Sequence, residues 1–493
     1  MRTAIIDCYT DEPAGLGVPP YLGVYPRYIY GSLEGEKYYL TIDDLRLWWQ
    51  YRSKIPSEGR KTNIYIKNLT KNYPSVENIL NSSNRIVVIL GVHTPGKYLS
   101  AVPGTIEEII PILKKFKAKK ILTGPAASEF GSELEGGKKV SKKFNELINQ
   151  HFDYIIHSDF DDSLEEIERD YSQLKSIAIK GTEIVKQIPY EIIAEIETSR
   201  GCSYGQCSFC TDALKYCFES RKPEEVKFEI DALKCLGVQN IRLGKQSCFY
   251  SYPGNIKLLK SLSGFKVLHI DNVNPVKVLG KKGEEITKAI VQYCTPGNVA
   301  AFGVESFDPG VIKANKLNSN PEITLEAIKI INHFGAERGS NGLPKFLPGI
   351  NILFGLESES RKTHECNMFW LNKILDSNLL IRRINIRQVV PYPGTRLYDS
   401  VGDKFLRKNR KYYWKWRNEI RQKIDLEMLK RLVPLGTIMK DVKTEIYDGN
   451  TTFSRQFGTY PLIVGVKKRL ELDKYINIRV TSHMLRSIVG EVA

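Results

Sequence analysis

Between residues 190 and 395 of this 493-residue chain, β-rich and helical runs alternate with a regular beat. The strand-like runs are EIIAEIETS, NIRLG, KVLHIDNV, VAAFGVES, INILFGLE and RINIRQVV. The runs between them, PEEVKFEIDALKCLG, NIKLLKSL, EEITKAIVQYC, TLEAIKIINHFG and THECNMFWLNKIL, carry helical periodicity. Strands joined through crossover helices are parallel neighbours. Six such strands make a partial (β/α)6 barrel, two units short of the closed eightfold form. In that architecture the chemistry gathers at the C-terminal ends of the strands. The unusual polar residues of this chain fall there. Cys202, Cys207 and Cys210 follow the first strand, and Gly244, Lys245 and Gln246 end the second. Asp271, Asn272 and Asn274 end the third, Glu305 the fourth, Gly355 and Glu357 the fifth, and Arg387 to Tyr392 the sixth. One rim thus collects the chemistry-bearing side chains of all six units.

The flanks have different patterns. Over residues 1–175 the strand-like runs are TAIIDCY, TNIYIKNL, RIVVILGVH, KKILTGP and DYIIHSD. TIDDLRLWWQYR, TIEEIIPILKKF and SLEEIERDYSQL read as helices opening on a capping Thr or Ser. This is a Rossmann-like doubly wound sheet, but no GxGxxG opens its first helix, so a dinucleotide site has no support. Over 435–493 the runs YPLIVGV and YINIRVTSHMLRSIVGEV, with the turn Asp448-Gly449-Asn450, read as a small all-β barrel. The expected fold class is therefore α/β. An N-terminal Rossmann-like parallel sheet (1–175) precedes the central partial (β/α)6 barrel (185–400). A basic aromatic helical connector (401–434) and the C-terminal all-β barrel (435–493) follow.

Composition narrows the partners. Seventy-two Lys and Arg against 56 Asp and Glu leave a formal charge of +16, which favours an anionic partner, nucleic acid first. The segment Arg407 to Lys423 concentrates that charge, interleaving eight basic residues and one acid with Tyr412, Tyr413, Trp414 and Trp416. Two readings stand open: a surface where cations meet phosphates and aromatics stack on bases, or an amphipathic helix covering a seam with its aromatics inward. The apolar runs are strand-length and the N-terminus MRTAIIDCY lacks the pattern of a signal peptide, so the expectation is a cytoplasmic protein with no membrane partner. Nine cysteines, odd in number and partly clustered, then read as metal ligands or buried thiols.

Three of them, in GCSYGQCSFC, lie within nine residues. A structural zinc site takes four protein ligands, often as two CxxC pairs. Here one CxxC, Cys207 and Cys210, has a third cysteine before it and no second pair; Cys217 is the nearest fourth. An iron–sulfur cluster held by three thiolates instead keeps one iron open for a substrate or cofactor. Of the rest, Cys235 and Cys366 lie in helical patterns and read as core, and Cys248 follows the second strand.

The cysteine loop after the first strand resembles that of the radical SAM superfamily, whose motif is CxxxCxxC with an aromatic before the last cysteine. Phe209 fills the aromatic position, while the first gap holds four residues instead of three. FGVESFDPGVIKANKLNSNPEITLEAIKIINHFG, INILFGLESES and VVPYPGTRLYD resemble the fourth, fifth and sixth strand motifs of the Elongator-like and methylthiotransferase-like branch. RLGKQ stands where many members carry Gly-Gly-Glu; Gly244 matches, Lys245 and Gln246 do not. The resemblance covers roughly 190 to 400. It implies a [4Fe-4S] cluster on Cys202, Cys207 and Cys210, with S-adenosyl-L-methionine near Phe209, Gly244, Gln246, Asn272, Glu305, Gly355 and Arg387. It also implies a 5′-deoxyadenosyl radical and an electron donor of the ferredoxin or flavodoxin type.

The flanks resemble partners of such barrels. GLGVPPYLGVYPRYIYG, KKILTGPAAS and FDYIIHSDFDDSLEEI resemble a cobalamin-binding Rossmann-like domain, although the Asp-x-His-x-x-Gly motif is absent and cobalamin stays open. His93, ending a strand, faces a ligand or is structural. Methylthiotransferases place three cysteines in this region for a second cluster; only Cys8 is present here, which argues against methylthiolation. SRQFGTYPLIVGV and YINIRVTSHMLRSIVGEV resemble the TRAM domain, which implies tRNA as partner. The expected RNA contacts are Arg410, Lys411, Trp414, Lys415, Arg455, Arg479 and Arg486. The reading that results is a tRNA-modifying radical SAM enzyme, with carbon methylation first, cobalamin-assisted or not. A methylthiotransferase, a cobalamin-type enzyme acting on lipid or protein, and a non-catalytic RNA-binding protein are the alternatives.

Overall fold

The computed structural model describes residues 1–9, 19–49, 68–91, 103–127, 132–134, 138–139, 142–156, 159–160, 166–167 and 171–493. These divide into two compact units, one of Met1–Ile196 with Glu224–Gln239, the other of Glu197–Pro223 with Asn240–Ala493. Among the described residues no helix is long and apolar enough to cross a membrane.

The first unit holds five parallel strands: β1 (Arg2–Asp7), β2 (Glu36–Thr41), β3 (Arg85–Ile89), β4 (Lys119–Thr123) and β5 (Tyr154–Ile155), in spatial order β2-β1-β3-β4-β5. Alternation along the strands sends side chains to two faces. Ala4, Ile6, Ile86 and Val88 pack under the helices Ile42–Trp48, Val76–Ser82 and Ile106–Leu113. Ile5, Val87, Ile89 and Ile121 meet Ile29 and Leu33 on the other side. Thr41 and Thr105 each close a capping box at a helix start, as the sequence pattern predicts. The order is flavodoxin-like, with its switch point between β1 and β3. At that point Cys8, Tyr9, Leu90 and Gly91 end the two strands. His93 lies outside the described residues.

Glu36–Thr41 is a strand that the sequence pattern passes over; of the run TNIYIKNL, residues 62–67 lie outside the described residues and Asn68 and Leu69 are in no strand. Two expectations need correction in this unit. A helix does not begin at SLEEI: Glu166–Ile167 pairs antiparallel with Asp159–Phe160, and the helix runs Tyr171–Gly181. The second concerns Cys235, which is exposed at the end of the helix Pro223–Cys235 and is not a core residue. Strand β6 (Ile193–Glu197) pairs in parallel with Tyr21–Leu22.

In the second unit, β7 (Asn240–Gly244) and β8 (Val267–Ile270) are parallel neighbours. The KVLHIDNV run breaks at Asp271, and Asn272–Val273 turns to pair with β9 (Asn298–Glu305). Beyond it stand β10 (Phe346–Phe354) and β11 (Arg383–Gln388), all parallel. Helices Gly280–Tyr293, Pro321–Gly335 and Arg361–Asp376 fall between these strands, as the alternation predicts. The connector is helical: Lys404–Ile420 passes through a π-helical turn, Arg421–Asp425, into Leu426–Leu432. The last 60 residues form a closed five-stranded barrel of β12 (Ile438–Asp448), β13 (Thr451–Gln456), β14 (Ile463–Val466), β15 (Tyr475–His483) and β16 (Ser487–Val492). Its interior, Met439, Val442, Val464, Ile478 and Ile488, is continuous with Leu429, Leu432 and Val433 of the connector and with Leu343 and Leu347 at the start of β10. One core therefore spans connector, barrel and sheet.

Candidate active site at the strand ends

The cysteine loop is closed at its neck by an antiparallel pair, Ser199–Arg200 with Glu219–Ser220. Arg200 and Glu219 form an ion pair across it at 2.9 Å, and buried Arg221 donates to the carbonyl of Glu197 at 3.0 Å. Gly201, at φ +71°, lies against the Cys217 carbonyl, which an added Cβ would approach to 2.4 Å. Only glycine fits that close approach. Beyond the neck, the extra residue of the first gap is absorbed in a turn where the Gly205 N–H donates to Cys202 Sγ at 3.4 Å. Ser208 ties the loop down. Its N–H and hydroxyl reach the Asn315 carbonyl and Oδ1 at 3.0 and 2.7 Å, and its carbonyl accepts from Leu397 N–H at 2.8 Å. Cys207 and Phe209 pack on the small apolar cluster of Val311, Leu317, Leu356, Val389 and Leu397.

Glu305 faces this loop from the end of β9. It sits at φ +64°, directly after an irregularity in the β9–β10 register. A left-handed conformation is uncommon for a glutamate, and a bulge re-aims the side chain that follows it. Burial pushes the Glu305 carboxyl up to about 8, opposed by the cation of Arg387 from β11. Burial likewise pushes Cys207 up to about 12, with Cys210, Glu305 and Cys202 each adding to the rise. Cys210 is raised to about 11 by burial first, then by Asp212, Cys202 and Glu305, against a bond from the Asp212 backbone. Four groups that all ionise to anions are thus held within mutual electrostatic reach. Lys215 lies beside them; burial lowers its pKa, while Asp212 and Cys210 raise it and Lys245 lowers it further. Lys245, at φ +60°, is a second left-handed residue at a strand end. Among the described residues no three Cys, His, Asp or Glu side chains converge tightly enough to chelate one ion.

The other expected cofactor residues divide. Arg387, Asn385 and Arg383 alternate along β11, all partly exposed, opposite Asn351 and Gly303 at the same level of β10 and β9. Gly244 ends β7 buried. Gln246 is also buried, and its amide is committed to Thr198 Oγ1 at 3.1 Å and to the Leu243 carbonyl at 2.8 Å. Asn272 donates to the Gln246 carbonyl at 3.3 Å. Gly355, at φ +97°, faces the connector: an added Cβ would lie 2.3 Å from Leu406 Cδ2, and its N–H donates to Glu359 at 2.7 Å. Helix packing therefore accounts for that glycine.

The RNA candidates divide as well. Arg410, Lys411, Trp414 and Lys415 are exposed on one side of the connector helix, Trp414 at 52 %. Trp416 is turned inward, stacked on His364 and Tyr412 and touching Phe354. The inward-facing reading of this segment therefore holds for Trp416, while its outer face is open to solvent. Arg479 is exposed near Glu491, and Arg486 is exposed at the tip between β15 and β16. Arg455 is corrected: it is buried and paired with Glu445 at 2.8 Å, so it holds the small barrel together and meets no phosphate.

Sequence reading missed a polar network below the rim. Arg242 of β7 pairs with Asp271 at 3.0 Å, and the Tyr460 hydroxyl donates to the same carboxylate at 2.9 Å. The backbone N–H of Thr459 donates to His269 Nδ1 at 3.3 Å. Arg382 donates to the Tyr460 carbonyl at 2.6 Å and Arg383 stacks on its ring at 4.4 Å. The β13–β14 loop of the small barrel is therefore inserted against the parallel strands. The only sequence signal was the run of polar residues inside the strands, Arg242, His269 and Arg383.

No protein-family model matches the chain. An uncharacterized protein of Methanocaldococcus jannaschii is 41% identical over 538 residues, covering 100% of this chain and 93% of that protein. An uncharacterized protein of Archaeoglobus fulgidus is 37% identical over 514 residues, covering 99% and 90%. A putative methylthiotransferase of M. jannaschii is 32% identical over 152 residues, 29% of this chain and 33% of that protein. Among solved structures, the radical S-adenosylmethionine methyltransferase TsrM from Kitasatospora setae, with cobalamin and a [4Fe-4S] cluster bound, aligns at a TM-score of 0.46 and 12% identity, covering 80% of this chain and 74% of that one. The cobalamin-dependent S-adenosylmethionine radical enzyme OxsB with aqua-cobalamin bound aligns at 0.47 and 13% identity, covering 85% and 56%. Both TM-scores lie below 0.5.

Proposed function

We propose that this chain, which belongs to the same family as the full-length M. jannaschii and A. fulgidus relatives, is a radical SAM enzyme that methylates a carbon of a tRNA nucleotide. The observation that carries the reading is the three-cysteine loop, anchored through Ser208 and facing Glu305 and Arg387 at the ends of parallel strands. The donor set fits a [4Fe-4S] cluster. Burial and then the neighbouring anions hold the Cys207 and Cys210 thiols up, and an iron–sulfur cluster at Cys202, Cys207 and Cys210 would supply the positive charge that lets the thiols ionise. With S-adenosylmethionine bound, such a cluster supplies the one-electron chemistry that activates an unreactive C–H bond. The chain's own part is to position and to exclude water. Arg387 supplies a fixed cation for a carboxylate, Glu305 an acceptor for an ammonium, and the apolar pocket around Phe209 a dry wall.

Cobalamin assistance rests on the flavodoxin-like strand order and its switch point. Methylthiolation gains from the partial match to a putative methylthiotransferase, but Cys8, the one cysteine of the first 175 residues, is buried and supplies no second cluster. The tRNA part rests on the +16 charge and on the exposed stripe of Arg410, Lys411, Trp414 and Lys415. The test is anaerobic reconstitution with iron and sulfide, a reductant of ferredoxin type, and assay of SAM cleavage with and without unmodified tRNA. The wild type should cleave SAM, faster with tRNA, and Cys207→Ala should do neither. Lys411→Gln with Lys415→Gln should weaken tRNA binding and lower its salt slope by about 2, whereas Arg455→Ala should lower stability without changing that slope. Cleavage indifferent to tRNA would refute the substrate; an iron-free protein after reconstitution would refute the class.

A further inference from the structure

Gly303 is exposed in the middle of an otherwise buried strand. Its neighbours along β9, Phe302 and Val304, are fully packed, and Gly303 itself is open. Its backbone is not in the left-handed region, so conformation does not require a glycine here. Packing does not require one either. An added Cβ would meet a single atom within 4 Å among the described residues, Glu305 Oε1 at 3.1 Å, and that atom ends a flexible side chain. A glycine inside a strand without either reason marks a place where another group approaches the backbone closely. Two amides stand at the same level. Gly303 is in register with Asn351 of β10, and Asn351 with Asn385 of β11. The alternate residues Ile350, Ile352, Ile384 and Ile386 are buried on the other face.

The guanidinium of Arg387 fixes how these amides are turned, because it can only donate. Asn385 Oδ1 accepts from Arg387 Nε at 2.9 Å and Nη2 at 3.2 Å, and the Asn351 amide lies 3.2 Å from the same oxygen. To bond that oxygen, Asn351 presents its own N–H. Its oxygen then remains as an acceptor and the Asn385 N–H as a donor, neither with a further partner among the described residues. Both side chains are half-buried, so a ligand that matches them replaces little water and one that does not leaves them unsatisfied. We propose that Gly303, Asn351 and Asn385 are the floor on which a nucleobase of the substrate lies, its face on the Gly303 backbone and its edge read by the two amides. This rests on the nucleotide-modifying reading above and names the part of the nucleotide that enters the site. Every base carries a donor and an acceptor side by side on its pairing edge, and asparagine reads such a pair on adenine in duplex recognition. A base laid on these strands must first leave its stack, as it does in other enzymes that act on bases. A lipid chain offers neither group.

The test is saturation-transfer NMR on the full-length protein with adenosine, guanosine, cytidine and uridine, each titrated separately. At least one should bind saturably. Gly303→Ala and Asn351→Leu should each weaken that binding about tenfold or more, the first by displacing the ring and the second by removing an edge contact. Gly303→Ala should melt at or above the wild-type temperature, since alanine costs the unfolded chain more freedom and meets no backbone here. A variant that loses the nucleoside and melts well below wild type would make Gly303 a seat for the Glu305 side chain and overturn the floor. So would a wild type that binds none of the four, or variants that bind like wild type. Excess S-adenosylmethionine, added to the reconstituted protein, separates two sources of a base. A nucleoside that stays bound assigns the floor to the substrate; one that is displaced assigns it to the adenine of S-adenosylmethionine and overturns the proposal. The NMR readout needs neither iron nor turnover. An iron-free protein that binds the nucleoside would refute the radical reading and leave the floor standing, and a protein that cleaves S-adenosylmethionine but binds no nucleoside would refute the floor alone.

Discussion

Tyr460 provides the sharpest test of how the small barrel serves the rest of the chain. A tethered RNA-binding module would tolerate any substitution in its loops. Here the Tyr460 hydroxyl donates to Asp271 at 2.9 Å, and that carboxylate is already paired with Arg242. A hydrogen bond to a charged group contributes about 1.5–3 kcal/mol, so Tyr460→Phe should destabilise by that amount. Tyr460→Ala also loses the stacking of Arg383 on the ring, about 0.5–2 kcal/mol, and roughly 1–2 kcal/mol of partly buried ring surface. Its total should reach about 3–7 kcal/mol. Asp271→Asn should cost about 3–5 kcal/mol, because it breaks the buried ion pair with Arg242. The assay is urea unfolding followed by tryptophan fluorescence and far-UV circular dichroism together. Adding Tyr460→Phe to Asp271→Asn should cost less than the two separately, by more than about 0.5 kcal/mol, since both act on one carboxylate. Strict additivity, or a Tyr460→Phe variant within about 0.5 kcal/mol of wild type, would show that the loop only rests beside the strands.

Two further predictions concern the same unit. Burial pushes the His269 imidazole down to about 4, so between pH 6.5 and 4 the unfolded chain binds a proton that the folded one refuses. Stability should therefore fall by about 3 kcal/mol as pH drops through that window, and His269→Gln should flatten the slope in acid titrations of urea unfolding. Gly355→Ala should destabilise by about 2–4 kcal/mol, because φ is +97° and the new Cβ would meet Leu406 at 2.3 Å. Leu406→Ala should restore only the steric part of that loss in a melting experiment.

What was legible in the sequence was local. The cysteines of one loop lie within nine residues, and strand and helix periods repeat over windows shorter than twenty, so chemistry and parallel topology both show without any long-range contact. Thr41 and Thr105 announced helix starts because a capping box is a four-residue pattern. The missed strand, Glu36–Thr41, reads as EKYYLT, too short and too polar at its start to stand out; its place beside β1 is set by six paired positions 34 residues away. Arg455 looked like a phosphate contact because charge is visible in a sequence and a partner ten residues off across a hairpin is not. The Tyr460–Asp271 bond spans 189 residues, and His269 with Thr459 spans 190. No window contains both ends of either. Polar residues inside parallel strands were the visible half of that arrangement, and a buried Arg or His in a strand requires a partner somewhere.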